Sequence, residues 1–320
     1  MLVNRYIFLV VLLATAVNGK AMNIYFSFAG KTIHMEDSAD AAGLLLPPDN
    51  YTRELTPFDL AIRLDREGAQ VNDYLALAAA NVRDWQPDEE RQLRNIFRSL
   101  DSLVLTEGYR FPMPDTIHLV RSETKEEFGA EGYTRNNVIV LNTSVLPLGK
   151  QLVAHELFHV MSRYNARFRD GMYHIFHFGP CNKITYKPAF GNRVITNPDC
   201  PYLEHSLMVT VDGKRREVAL VLYSAIDFKA GATINDYARL GLLALDTKYK
   251  AKRPLMNQGQ PVVYELDQVP DFFEQVGKNS AYILHIEELC AEHFAALCAG
   301  QQLREPEYLR QMASLLKQNN

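Results

Sequence analysis

His155-Glu156-Leu157-Phe158-His159 lies in the apolar run Gln151 to Met161, and its spacing predicts a helix. On a helix, residues i and i+4 stand one above the other, so both imidazoles can address one metal ion. Glu156 is rotated about 100° from His155, where its carboxylate reaches a water held by the metal rather than the metal itself. Leu152, Leu157 and Val160 can face a core while His155, Glu156 and His159 line a cleft. The run starts after Pro147-Leu148-Gly149 and fades at Arg163 to Ala166. The competing reading is a helix with two packed imidazoles and a solvated glutamate.

A catalytic zinc needs three protein ligands and an open position. The extended pattern H-E-x-x-H-x-x-G-x-x-H would place glycine at 162 and histidine at 165, but the chain has Ser162 and Asn165. The third ligand is therefore sought downstream, in His285 to Phe294, where Glu288 and Glu292 are i and i+4 on one helical face. Glu287 points about 100° away and is a competitor. His174 and His177 are further alternatives, in a segment that reads as packed aromatics.

H-E-L-F-H together with E-L-C-A-E resembles the gluzincin group of zinc metallopeptidases, across about residues 115 to 300. The resemblance implies that Glu288 is the third zinc ligand and that Glu292 orients a ligating imidazole. Glu292 stands where the family has an aspartate, and the gap from His159 to Glu288 implies an inserted lobe. The family also implies a substrate-binding edge strand before the active-site helix, and Asn137-Val138-Ile139-Val140-Leu141 is placed there, following Gly132 to Arg135. Tyr282, six residues before Glu288, is the candidate to stabilise the oxyanion, with Tyr133 and Arg135 as rivals.

Met1 to Val17 carries one basic residue and an apolar run too short to span a bilayer, followed by Gly19-Lys20-Ala21. Residues 1–21 are read as a signal peptide, and the protein as secreted or periplasmic with no stable membrane insertion after its removal. The remainder holds 38 acidic and 32 basic residues, a net charge of −6, which excludes a nucleic-acid footprint. Export permits disulfides, so Cys181 and Cys200, flanking a Pro/Gly/Asn-rich loop, are expected to pair. Cys290 and Cys298 lie about 12 Å apart along one predicted helix and are expected to be buried thiols.

Residues 22–55 read as a surface arm, apart from a short strand at Ile24 to Phe28. Helices are expected at Pro57 to Leu64, Asp73 to Trp85, Pro87 to Leu103, Ile234 to Leu245 and Ala281 to Ala299. Strands are expected at Asp115 to Val120, Asn137 to Leu141, His205 to Val211 and Glu217 to Leu222, the last two joined by an Asp212-Gly213 turn. This predicts an α+β, zincin-like fold: an active-site helix under a small mixed sheet, extra helices, and an inserted β-containing lobe at about 180–225. Residues 22–110 form the arm and helical region and 111–320 the catalytic region. The expected activity is hydrolysis of a peptide or protein by one Zn²⁺ per chain, with Glu156 as general base. A zinc hydrolase of a non-peptide amide and a non-catalytic binding protein on the same scaffold are the alternatives.

Overall fold

The computed structural model describes residues 24–144 and 148–318; the expected signal peptide lies outside them. Strands β1 (Ile24–Phe28) and β2 (Lys31–Met35) form a hairpin, followed by α1 (Ser38–Leu45), which Asp37 N-caps. Helix α2 (Pro57–Leu64) opens on a Thr56/Asp59 capping box, and α3 (Val71–Asn81) runs directly into the short β3 (Val82–Arg83). Helix α4 (Pro87–Glu107) has proline in its first turn, three acids beside it, and Gly108 in the left-handed conformation as its stop.

Strands β4 (Thr116–Ser122), β5 (Gly132–Arg135) and β6 (Val138–Leu141) complete a mixed sheet in the order β1-β2-β4-β6-β5, with β3 also paired to β4. The β2–β4 and β4–β6 pairs are parallel and the others antiparallel. Period-two alternation divides the two faces. Ile33, Met35, Ile117, Leu119, Ile139 and Leu141 enter the main core, where they join residues of α4 and of α5 (Lys150–Tyr164). Tyr133, Val138, Val140 and Val120 pack on the other side against Ala41, Leu45 and Ala78 of α1 and α3. Residues 24–35 are thus not a surface arm: their strands are built into the sheet, and Phe28, Ile33 and Met35 are fully buried.

After α5 come α6 (Ala166–His174), β7 (Gly179–Pro180) and a long loop. Strands β8 (His205–Val211) and β9 (Lys214–Ser224) then turn on Asp212-Gly213, both with positive φ (49° and 72°), the backbone a tight hairpin requires. The segment expected to be helical at 234–245 is one turn, α7 (Ile234–Tyr237), and then strand β10 (Ala238–Ala244). Its alternation explains the difference, since Leu242 enters the main core while Leu243 faces a second core over the loop. Small strands β11 (Met256–Asn257), β12 (Gln260–Pro261) and β13 (Val263–Tyr264) follow. The second sheet is wholly antiparallel, in the order β13-β10-β9-β8-β7, so the β-containing region runs past residue 225 to Tyr264.

Helices α8 (Pro270–Val276), α9 (Ile286–Ala299) and α10 (Glu307–Leu316) close the chain. Helix α9 starts five residues later than its periodicity suggests. His285 caps it, its Nδ1 accepting from the Glu287 N–H at 3.1 Å, which leaves Tyr282 on the extended approach. The fold is α+β, and no helix among the described residues is long and apolar enough to cross a membrane.

Candidate metal centre

Helices α5 and α9 lie side by side. Val153, Leu157, Phe158 and Val160 of α5 pack with Leu289, Phe294 and Cys298 of α9 in the main core. That packing turns His155 and His159 toward the first turn of α9. His155 Nε2 stands 3.1 Å and His159 Nε2 3.7 Å from the same atom, Glu288 Oε2. His159 Nε2 is fully buried and has no hydrogen-bond partner.

The opposite ring nitrogens are supported. His155 Nδ1 is 3.2 Å from Glu292 Oε1, and His159 Nδ1 is 2.8 Å from Glu287 Oε1. Glu287 also accepts from the Ser162 and Tyr173 hydroxyls. A carboxylate behind each imidazole fixes Nδ1 as the protonated nitrogen and leaves the Nε2 lone pair for a ligand. Glu287, weighed above as a competing ligand, instead holds the second histidine.

Two residues that sequence reasoning did not single out complete the site. Asn197 Nδ2 donates to Glu288 Oε1 at 2.5 Å, leaving Oε2 for the imidazoles. Asp199 Oδ1 is 3.9 Å from His159 Nε2 and accepts from the Thr134 backbone N–H at 2.7 Å. Arg163 secures their loop by donating to the carbonyls of Pro198 and Asp199. The loop is also tied to α2, because Asp59 accepts from Thr196 and Arg63 donates to the Thr196 carbonyl.

Glu156 is 2 % exposed and lies beneath strand β5. Its Oε2 accepts from Thr134 Oγ1 at 2.7 Å. Its Oε1 fits only because residue 132 is glycine: a Cβ there would stand 2.8 Å from it. The free edge beside the site is therefore β5, and not the expected Asn137 to Leu141. Val138–Leu141 is β6, flanked by β4 and β5 and buried on both faces, as a continuous Val-Ile-Val-Leu run should be. Asn137 is occupied in donating to the Thr116 carbonyl.

Electrostatics around the cluster are lopsided. Burial pushes Glu156 up to about 7, against the opposing pull of His155 and Thr134. Burial likewise brings Asp199 to about 8, despite the nearby His159. For Glu288, burial acts in the same upward sense, but His159, His155 and Asn197 outweigh it and hold the group at about 2. His155 is raised well above its usual value: burial opposes its charge, and Glu288 and Glu292 overcome that. Four acids, Glu156, Asp199, Glu287 and Glu288, thus surround two imidazoles with little exposure to water. A bound cation would relieve that arrangement.

Tyr282 lines a cavity of about 600 Å³ together with His155, Glu156 and Gly132, its ring 6.4 Å from that of His155. Its hydroxyl makes no hydrogen bond among the described residues. Its rivals are committed elsewhere, Tyr133 to Glu126 and Arg135 to Asp49. His174 and His177 are exposed and away from the cluster. Cys290 and Cys298 are buried thiols within α9, but Cys181 and Cys200 are also free rather than paired. The Cys181 thiol donates to the Asn182 carbonyl, whereas burial, and after it the nearby Glu288, Asp199 and Glu287, push the Cys200 thiol well above its usual pKa. His155, His159 and Glu288 offer three donor atoms within 4.8 Å of one another, as do Glu156, His159 and Asp199. Comparison with protein-family models, with curated proteins and with solved structures finds no match.

Proposed function

We propose that this chain is an exported zinc metallopeptidase of gluzincin type, with zinc held by His155, His159 and Glu288. One observation carries the reading: two imidazole Nε2 atoms, each backed by a carboxylate, converge on one Glu288 oxygen, and one of them is buried without a partner. The donor set of two neutral imidazoles and one carboxylate suits zinc. Helix α5 beneath a mixed sheet whose edge strand borders the cleft supports a zincin-like fold.

Zinc, when bound, supplies a Lewis acid that polarises the scissile carbonyl and acidifies the attacking water. Glu156 takes the proton from that water and returns it to the departing amine. Its burial acts in the upward direction on its carboxyl, the sense that favours taking up a proton. Thr134 holds one Glu156 oxygen and Gly132 makes room for the other. Asn197 fixes the rotation of Glu288. Tyr282, which lines the cavity with His155 and Glu156, is the residue assigned to meet the oxyanion.

Asp199 bears on the substrate. An extended peptide would add to β5 through its outward N–H groups, yet the Thr134 N–H is already taken by Asp199. This favours a second reading, hydrolysis of a compact amide lodged in the cavity beside His155 and Tyr282. Purified protein is tested for zinc and for cleavage of a peptide library and of small amides, with Glu156→Gln as control. Zinc-dependent cleavage lost in that variant supports the proposal; cleavage that survives metal removal overturns it.

A further inference from the structure

A second cluster of metal-ligand residues lies on the outer face of the first sheet. Strands β2 and β4 are parallel, with His34 opposite His118 in register. Glu36 is two residues beyond His34, so period two returns it to the same face. The intervening Met35, like Ile33, Ile117 and Leu119, points to the main core on the α5 side. Sheet backbone and a layer of apolar side chains thus separate this cluster from the site at His155.

Its geometry is compact. Glu36 Oε1 stands 2.6 Å from His34 Nδ1 and 2.5 Å from His118 Nδ1. One donor atom from each residue falls within a 4.8 Å set. The Glu36 side chain is 3 % exposed and His34's 10 %, while His118 at 22 % leaves an approach from solvent. Tyr25 stacks on His34 at 4.0 Å and covers its other flank. No arginine or lysine pairs with Glu36 among the described residues, and the buried His34 Nε2 has no hydrogen-bond partner. Glu36 is thus a buried carboxylate that meets two imidazole Nδ1 atoms and no fixed positive charge among the described residues, a balance that a bound cation would complete.

We propose that His34, Glu36 and His118 bind a second divalent transition-metal ion of the zinc and cobalt class. Two imidazoles and a carboxylate form a borderline donor set that favours such ions over calcium or magnesium. The ion bridges strands far apart in sequence and fastens the amino-terminal hairpin to the sheet. This site stands independently of the hydrolase reading.

The full chain carrying His155→Ala and His159→Ala is titrated with Co²⁺ and followed by metal analysis and visible absorption. About one cobalt per chain is expected, along with a higher melting temperature when the ion is present. Adding His34→Ala and His118→Ala should abolish both effects. The milder His118→Gln, with its fold verified by circular dichroism, should weaken binding at least tenfold. No cobalt in the His155/His159 variant, or unchanged binding after loss of His34 and His118, would overturn the proposal. A wild-type chain that binds one cobalt, lost only on replacing His34 and His118, would sustain this site and sink the centre at His155.

Discussion

On the α5–α9 pair, His155 and His159 turn Nε2 toward one Glu288 oxygen and rest Nδ1 on Glu292 and Glu287. Across the sheet, His34 and His118 both turn Nδ1 to Glu36, and among the described residues no second carboxylate pairs with either ring. The helical cluster borders a cavity of about 600 Å³ and has a buried glutamate beside it that is not needed as a ligand. The strand cluster has no such companion. Similar donor residues thus occur with and without the surroundings that chemistry requires. Supporting carboxylates, a spare base and room for substrate distinguish a reactive centre from a staple.

The largest effect should come from removing the spare base. Glu156→Gln is expected to lower turnover by about 10²–10⁴-fold with metal content unchanged, read by steady-state kinetics alongside metal analysis. Replacing His34 and His118 should leave turnover intact. Equal losses from both changes would erase the distinction between the clusters.

Next in size is the support behind His159. Glu287→Gln keeps the shape but weakens the acceptor for Nδ1, so zinc affinity should fall by roughly 10–100-fold in a chelator competition. Unchanged affinity would mean that the supporting carboxylate does not matter to the helical cluster.

The capping histidine of α9 offers a test by pH. Burial lowers His285 from 6.5 to about 4, so its neutral form is the one the fold accepts. Its contribution is complete above pH 6.5 and is lost as pH falls toward 4. By pH 5 the loss amounts to about 2 kcal/mol. Chemical denaturation of apo-protein at pH 7 and pH 5 should show that loss, and His285→Asn should remove it. An identical pH response in the variant would contradict the assignment.

A smaller effect is expected at Gly132. An alanine there places Cβ against Glu156 Oε1 and shifts the base without touching a ligand. Turnover should drop about tenfold with zinc retained, since small misplacements of a reacting group are costly. Full activity would show that Glu156 need not sit under β5.

What could be read from the sequence follows how local each interaction is. The His155/Glu156/His159 face and the Glu288/Glu292 pair depend only on helical spacing, and the structure brings those residues together. Helix α4 and the Asp212-Gly213 hairpin carry local caps and turn residues, and were legible for that reason. Helical spacing leaves Glu287 a competing ligand; its place behind His159 depends on Tyr173 and Ser162 from other elements. Asn197 and Asp199 lie in a loop without periodicity, and only Arg163, Asp59 and Arg63 place them. The edge strand is Gly132 to Arg135 and not the expected Asn137 to Leu141, whose Val138 to Leu141 is apolar throughout where Gly132 to Arg135 is not. Of the hairpin at residues 24–35 only Ile24 to Phe28 reads locally as a strand, because β2 takes its place in the sheet from β4, more than 80 residues away. The Cys181–Cys200 pairing rested on their flanking a loop, and loop composition does not specify which way each thiol turns.

Metal analysis of the purified chain, of its His155→Ala/His159→Ala variant and of Glu156→Gln, each assayed for amide cleavage, tests the central claim most directly. The account predicts that the histidine variant loses one zinc per chain and all turnover, while Glu156→Gln keeps its zinc and loses turnover. Equal zinc content in all three proteins, or cleavage that persists in the histidine variant, would contradict it.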